Sequence, residues 1–177
     1  MSNLNFPLQQ IKTWDMELCA FCNRQSRSFT VRNLFRLVSR LGDGVFWYVL
    51  MIVLLLQYQG AALPAVVHMI AVGLVGTALY KFIKGKTLRP RPFNVYPAIV
   101  CVGKTLDQFS FPSGHTMHAV GFGIVAVAYF PALVWLVLPF SVLVGLSRPI
   151  LGLHYPSDVL AGAALGAAVA GLSFVLV

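Results

Sequence analysis

The residue types with the most chemical potential stand together in the segment 147–158, SRPILGLHYPSD. Arg148, His154 and Asp158 are its ionisable side chains, and apolar runs flank it on both sides. Ionisable groups beside long apolar runs are costly to keep, so they commonly mark a functional site. His154 and Asp158 are four residues apart, and a carboxylate within reach can fix the imidazole tautomer and stabilise its protonated form. The segment is therefore predicted to form one wall of a catalytic pocket.

Two other polar motifs precede this segment. In KGKTLRPRP, Lys84 and Arg91 provide two cations seven residues apart. The second motif, PSGH at residues 112–115, leads directly into an apolar run. Ser113 suits the N-cap of the helix predicted there, whose free N–H groups and dipole favour an anion. Gly114 would let that anion approach the backbone closely.

Together the motifs contain the groups that phosphoryl transfer needs without a metal. The cations are Lys84, Arg91 and Arg148, and the histidines are His115 and His154. The cations and the helix-terminal amides would hold the phosphate oxygens. One histidine would attack phosphorus, and the other would protonate the leaving oxygen. Catalysis of this kind depends on positioning and electrostatics.

The elements that must position these groups are membrane helices. Of the 177 residues, 58% are hydrophobic and 10% are charged, whereas soluble domains carry about 25% charged residues. The formal net charge of +8 favours anionic lipid headgroups or phosphate groups as partners over nucleic acid. The predicted fold class is all-α, a polytopic membrane helix bundle.

The hydropathy pattern divides the chain into two parts. Residues 1–42 have apolar positions at helical spacing, which predicts two amphipathic helices at the membrane interface. Residues 43–177 are predicted to form the membrane-embedded domain, with about five spanning helices. The predicted spans are residues 45–58, 64–80, 114–130, 132–146 and 159–177. Residues 84–112 carry no spanning pattern, and such a long connection is usually functional.

A five-span topology brings the polar segments together. The N-terminal region, residues 84–112 and residues 147–158 then fall on one side of the membrane. All 13 Lys and Arg residues lie on that side, and positive-inside reasoning makes it the cytoplasmic side. We expect an active site there, built from three segments on a helical scaffold.

Other features have structural interpretations. His68, inside the second predicted span, is expected to make an interhelical hydrogen bond. Asp107 is expected to form a salt bridge within its loop. The CxxC of Cys19 and Cys22 lacks the second pair or the thioredoxin-like context that a metal or redox site needs, so it is interpreted as incidental. A row of small residues within 162–170 would let helices approach closely.

Taken together, the motifs resemble a known signature. They are similar to the three-part signature of the type 2 phosphatidic acid phosphatase superfamily, which also includes vanadium haloperoxidases. The three parts in this sequence are Lys84-x6-Arg91-Pro92, Pro112-Ser113-Gly114-His115 and Ser147-Arg148-x5-His154-x3-Asp158. The motifs occur in the family's order, with spans between them. The resemblance covers residues 43–177, whereas residues 1–42 match loosely.

The resemblance implies a role for each motif residue. His154 would be the nucleophile, passing through a phosphohistidine, Asp158 would orient it, and His115 would be the general acid. The phosphate would be bound by Lys84, Arg91, Ser113, Gly114 and Arg148. His118 and Ser147 are interpreted as supporting residues at or behind the pocket. No metal or other cofactor is expected.

The resemblance also implies a substrate class and a location. Similar small bacterial members act on undecaprenyl diphosphate, phosphatidylglycerophosphate, phosphatidic acid or lipid A, and undecaprenyl diphosphate is the first candidate. The expected partners are an anionic lipid phosphate and the surrounding membrane lipids. A bacterial inner membrane is implied, with the active site facing the periplasm. That orientation conflicts with the cytoplasmic side that the charge distribution favours.

Other functions fit parts of the pattern. A catalytically silent lipid-binding membrane protein could keep this fold, but the intact motifs argue against it. A transporter would carry polar groups deep in its spans, where only His68 qualifies. A vanadate-dependent haloperoxidase would share the phosphate pocket, but a membrane-embedded chain favours lipid substrates. A lipid phosphatase is therefore the expected function, and the sequence sets no oligomeric state.

Overall fold

A computed structural model describes residues 5–105 and 107–176. In these residues the regular structure is helical, apart from an isolated bridge between Pro90 and Phe109. The α-helices are α1 (Asn5–Arg24), α2 (Phe29–Arg40), α3 (Phe46–Tyr58), α4 (Leu63–Thr87), α5 (Pro92–Val95), α6 (Gly114–Tyr129), α7 (Val134–Ile150) and α8 (Pro156–Ser173). The all-α prediction is confirmed. Residues 1–4, 106 and 177, which the predicted segments also include, lie outside the described residues.

The described residues include three helical stretches that are long and apolar enough to cross a membrane. These stretches are Phe29–Thr87, Pro131–Ile150 and Pro156–Ser173. The first contains α2, α3 and α4, which are joined by a bend at Gly44 and a turn at residues 59–62. α6, with 16 residues, is shorter than these stretches. The protein is a membrane helix bundle, and the count of five spans stays a prediction.

The two amphipathic helices predicted in residues 1–42 are present as α1 and α2, and both pack against α7. The Asn23 amide anchors α1, because it donates to the carbonyl oxygens of Val100 at 2.9 Å and Ile150 at 3.0 Å. Its side-chain oxygen accepts from the Val100 N–H at 2.9 Å. α1 is therefore docked against the segments that carry the candidate site. That residues 1–42 form a separate interfacial unit stays a prediction.

Two helices run further than the sequence predicts. α4 continues to Thr87 instead of ending at residue 80, and α7 continues to Ile150 instead of residue 146. Cations are favourable in the last turn of a helix, where they face the negative end of its dipole. The polar residues that end the hydropathy pattern therefore do not end the helices. Lys84 and Arg148 project from helix ends and not from loops.

α6 is the central helix and packs against α4, α7 and α8. Two glycines of α8 lie against it. A Cβ on Gly162 would collide with the carbonyl oxygen of Ser113, and a Cβ on Gly166 would collide with that of Met117. The row of small residues therefore lets the two helices approach closely, as predicted. This contact fixes the beginning of α6, where the PSGH motif lies.

His68 joins three helices. Its Nδ1 lies 3.3 Å from the Tyr129 hydroxyl at the end of α6, and its Nε2 lies 2.6 Å from the Ser173 hydroxyl at the end of α8. The predicted interhelical hydrogen bonding of this buried histidine is confirmed. Both of its ring nitrogens are engaged far from the PSGH motif, so His68 has a structural explanation.

Candidate active site

A cavity of about 310 Å³ lies between the bend that joins α2 to α3, helices α3 and α4, and the start of α6. One part of its wall is apolar and includes Trp47, Met51, Ile70, Leu74 and Phe122. The other part is polar. It contains the sequence-predicted residues Lys84, Arg91, Gly114, His115, His118, Arg148 and His154. Motifs that are far apart in sequence thus converge on one cavity.

Lys84 and Arg91 are held by one carboxylate. Lys84 Nζ lies 2.6 Å from Asp107 Oδ2, and Arg91 Nη2 lies 2.8 Å from Asp107 Oδ1. Partial burial of Asp107 favours its neutral form, but the hydrogen bond and charge of Lys84, with the charge of Arg91, keep the pKa of this carboxyl below its ordinary value. The predicted loop salt bridge of Asp107 is confirmed. It aligns the two cations that were predicted to bind phosphate.

His154 lies in the turn between α7 and α8 and is 1% exposed. Arg91 fixes this turn, since its Nη1 donates to the Leu153 carbonyl at 2.7 Å. The same Nη1 lies 3.5 Å from His154 Nε2. Burial, and then the positive charges of Arg148 and Arg91, hold the pKa of His154 well below its ordinary value. The imidazole is therefore neutral, which is the form that can act as a nucleophile.

Asp158 is fully buried in the first turn of α8, and its Oδ2 lies 3.6 Å from His154 Nδ1. Oδ2 accepts a hydrogen bond from the Tyr155 N–H at 2.8 Å, and Oδ1 accepts one from Arg89 Nη1 at 2.7 Å. Within the described residues, His154 Nδ1 has no hydrogen-bond partner. The predicted proximity of His154 and Asp158 is present, and the two groups stand slightly beyond hydrogen-bond distance.

Of three other predicted residues, one lines the cavity and two do not. Ser113 is the N-cap of α6, as predicted, and its Oγ accepts from the Thr116 N–H. Ser147 is fully buried, and its hydroxyl donates to a backbone carbonyl of its own helix at 2.6 Å. Neither serine lines the cavity, so phosphate binding by Ser113 stays a prediction. His118 lines the cavity wall, and its Nδ1 lies 2.8 Å from the Gly114 carbonyl.

His115 faces a carboxylate that the sequence motifs do not include. Its Nε2 is paired with Oδ1 of Asp43, which lies in the bend between α2 and α3. Both residues line the cavity. The signal in the sequence is Gly42-Asp43-Gly44, an acidic residue between two glycines at the start of an apolar run. Gly44 has φ 130°, a conformation that favours glycine.

Arg148 is a buried cation with spare hydrogen-bonding capacity. It is 2% exposed, and its Nη1 donates to the Ser39 hydroxyl at 2.7 Å. Its Nε has no hydrogen-bond partner in the part of the chain that the structure describes. An unpaired donor on a buried charge is costly. A bound anion would therefore be a favourable partner for this cavity-lining guanidinium.

The polar part of the cavity suits an anion. Lys84, Arg91 and Arg148 are the cations of its wall, and the dipole of α6 adds positive potential at Gly114. Within residues 5–105 and 107–176, no group of three or more His, Cys, Asp or Glu side chains could hold a metal ion. The fold and the site define a membrane helix bundle with a pocket that is lined by cations and imidazoles.

Comparison with known sequences identifies the family. The model of the PAP2 superfamily matches residues 61–177, which is more than half of the chain. The protein therefore belongs to the PAP2 superfamily, as the three motifs predicted. The matched region contains all three motifs, whereas α1 and α2 lie outside it.

Curated relatives are similar over part of their length. The chain is 39% identical over 100 residues to decaprenylphosphoryl-5-phosphoribose phosphatase of Mycobacterium tuberculosis, covering 55% of this chain and 53% of that protein. It is 32% identical over 102 residues to undecaprenyl-diphosphatase BcrC of Bacillus subtilis, covering 58% of this chain and 52% of that protein. The chain thus spans about half the length of the curated relatives it matches.

Two crystal structures share the fold. A transmembrane PAP2-type phosphatidylglycerophosphate phosphatase from Bacillus subtilis superposes with a TM-score of 0.73 and 23% identity, covering 94% of this chain and 86% of that one. LpxE from Aquifex aeolicus gives a TM-score of 0.71 and 24% identity, covering 89% of this chain and 93% of that one. The shared fold therefore extends beyond residues 61–177.

Proposed function

We propose that the protein is an integral membrane lipid phosphatase, which hydrolyses a phosphate monoester or diphosphate of a membrane lipid through a phosphohistidine intermediate. One observation carries this proposal. Three cations and the two histidines with proposed catalytic roles line a single cavity, and another part of its wall is apolar. A phosphate fits the polar part, and a hydrocarbon chain fits the apolar part.

In the proposed reaction, the phosphate lies among Lys84, Arg91 and Arg148, with phosphorus next to His154 Nε2. The neutral imidazole attacks, so a P–N bond forms while the P–O bond to the leaving group breaks. His115 donates a proton to the leaving oxygen. Water then attacks the phosphohistidine, so a P–O bond forms while the P–N bond to His154 breaks. His115 accepts a proton from the water, and inorganic phosphate is released. The cations and the amides of α6 stabilise the charge on the equatorial oxygens.

The carboxylates have different tasks in this reaction. Asp158 faces Nδ1 of His154, where it can stabilise the positive charge that the ring acquires as Nε2 bonds to phosphorus. Asp43 faces His115, and a carboxylate beside an imidazole stabilises its protonated form. Asp107 aligns Lys84 and Arg91.

Undecaprenyl diphosphate is the first candidate substrate. The relatives from Mycobacterium tuberculosis and Bacillus subtilis are both named for polyprenyl-linked phosphates. A polyprenyl chain is apolar next to its phosphate, which matches a cavity where Trp47 and Met51 of α3 face Ile70 and Leu74 of α4. Phosphatidylglycerophosphate, phosphatidic acid and lipid A are the alternatives.

The test is phosphate release in detergent micelles from these four lipids. We expect the highest kcat/KM for undecaprenyl diphosphate, and the His154→Ala variant gives the chemical background. His68→Asn is the matched control, because it removes a buried histidine that lies outside the cavity. The proposal would be contradicted if the wild-type protein released no more phosphate than His154→Ala from each of the four lipids.

A single cysteine can report which membrane face carries the site. Cys101 is exposed in the loop between α5 and α6. Cys19 is buried, and burial raises its pKa to about 12, which makes it a poor target for a thiol reagent. A Cys19→Ser, Cys22→Ser variant leaves Cys101 as the thiol that reports the membrane face. Following the charge distribution, we propose a cytoplasmic site. An impermeant thiol reagent should then modify Cys101 in opened cells and not in intact cells. Modification in intact cells would assign the periplasmic face.

A further inference from the structure

Arg89, in the loop after α4, bridges two buried carboxylates. Its Nη1 donates to Asp158 Oδ1 at 2.7 Å, and its Nη2 donates to Asp15 Oδ2 at 2.6 Å. The guanidinium also lies 4.0 Å from the centroid of the Tyr155 ring, which is a cation–π contact. Arg89 is therefore fixed from three sides, directly behind the proposed catalytic pair.

Asp15 belongs to α1, and 74 residues separate it from Arg89 along the chain. It is 6% exposed. Its Oδ1 accepts from the Ser157 N–H at 2.9 Å, and its Oδ2 accepts from the Ser157 hydroxyl. The Ser157 N–H is in the first turn of α8, where amides lack partners within the helix. Asp15 thus supplies a helix-capping carboxylate from another helix while it balances the charge of Arg89.

These contacts decide where Asp158 points. One of its oxygens faces His154 and the Tyr155 N–H, and the other is occupied by Arg89. A buried carboxylate that loses its cation becomes uncompensated, so its position is expected to change. Neither Arg89 nor Asp15 lines the cavity. Any effect that they have on a bound phosphate is therefore indirect, and Asp158 is the contact of Arg89 that faces His154.

Building on the proposed function, we propose that Arg89 and Asp15 are positioning residues that hold Asp158 towards His154. The N-terminal helix α1 is then a part of the catalytic assembly, although it lies outside the residues matched by the family. The chain of contacts runs from α1 through Asp15, Arg89 and Asp158 to the ring of His154.

Kinetics of Asp15→Asn and Arg89→Gln test this proposal. A small displacement of a catalytic group lowers turnover strongly, so we expect kcat to fall by about tenfold to a hundredfold while KM stays within about twofold. Arg89→Lys keeps the charge but cannot contact both carboxylates in the same way. Its kcat should therefore lie between those of Arg89→Gln and the wild-type protein. Glu17→Gln is the matched control, because it removes an exposed carboxylate from the same helix.

The ring nitrogens of His154 provide a readout that does not depend on turnover. The chain has four histidines, so ¹⁵N-histidine spectra in micelles can be assigned with single variants. The wild-type protein and Glu17→Gln should show a proton on Nδ1 and none on Nε2, because Asp158 faces Nδ1. Asp15→Asn should show a mixture of tautomers. A purely structural role would lower Tm and leave the tautomer unchanged.

Two results would overturn the proposal. One is a His154 spectrum that Asp15→Asn and Arg89→Gln leave identical to that of Glu17→Gln. The other is an unchanged kcat in both variants. If the wild-type protein releases no phosphate from any lipid, the proposed function fails, and the ¹⁵N spectra alone then decide whether Arg89 and Asp15 position the His154 ring.

Discussion

The two cavity histidines with proposed catalytic roles are held in different ways. His154 is 1% exposed, lies in a turn that Arg91 clamps, and faces a fully buried Asp158. His115 has a side-chain exposure of 12%, and its partner Asp43 is 36% exposed in a bend between two helices. The comparison suggests a division of labour. The proposed nucleophile is fixed by buried contacts. The proposed acid is more exposed, and its contact with a carboxylate can be replaced by a contact with the leaving oxygen of the substrate.

The largest effect is expected at the buried histidine. His154→Ala should lower kcat by about a thousandfold or more, because the chemical step loses its nucleophile. Phosphate release from the best lipid substrate measures this loss, with His68→Asn as the control. If His154→Ala keeps more than about a tenth of wild-type kcat, the assignment of His154 as the nucleophile is wrong.

A smaller effect, which depends on the leaving group, is expected at His115. His115→Asn should lower kcat/KM by about a hundredfold with a lipid substrate, because the leaving oxygen is no longer protonated. With an aryl phosphate, whose leaving group needs no proton, the loss in kcat/KM, which reports formation of the phosphohistidine, should shrink by at least about tenfold. His154→Ala should show no such recovery. Equal losses with both substrates would remove His115 from the role of acid.

Asp43 should have a weaker effect than either histidine. Asp43→Asn removes the negative charge that faces His115, and loss of one neighbouring charge corresponds to about a tenfold change. We therefore expect kcat to fall by about tenfold. KM should not rise, because the substituted residue no longer repels phosphate. A loss as large as that of His115→Asn would show that His115 is held as firmly as His154, which would contradict the proposed difference between the two histidines.

The pH dependence tests the environment of His154. Burial and the positive charges of Arg148 and Arg91 hold its pKa well below the ordinary value of 6.5. The ring therefore stays neutral as the pH falls through 6.5, and protonation inactivates it only at lower pH. The acid limb of kcat/KM, which reports the free enzyme, should lie below pH 6.5. An acid limb at or above that pH would indicate an exposed, ordinary histidine.

The sequence was sufficient for the helical class and for the cations and proposed catalytic histidines of the cavity wall. Lys84, Arg91, His115, Arg148 and His154 were predicted from motifs, and they converge because the helices between the motifs return the chain to the same end of the bundle. Hydropathy alone could not locate the helix ends, since cations are tolerated in the last turn. The ends of α4 and α7 were therefore predicted several residues early.

The ion pairs were harder to predict than the motifs. Asp15 occupies the polar face of an amphipathic helix, and periodicity assigns that face to solvent or headgroups. Its contact with Arg89 depends on how α1 docks on the turn before α8, which is tertiary information. Arg89 itself stands within KGKTLRPRP, but nothing in its spacing distinguishes it from the cations that face the cavity. The pairing of Asp43 with His115 joins residues 72 apart.

The most direct test of the account is to find the phosphoryl group on the protein. His115→Asn should be mixed with an aryl phosphate, quenched in base within the first turnovers, and digested for mass spectrometry. Because His115 is also the proposed base for hydrolysis, this variant should accumulate the intermediate. The account predicts a phosphoryl group on His154 that is stable in base and labile in acid. Turnover without phosphorylated His154, or a phosphoryl group on another residue, would contradict it.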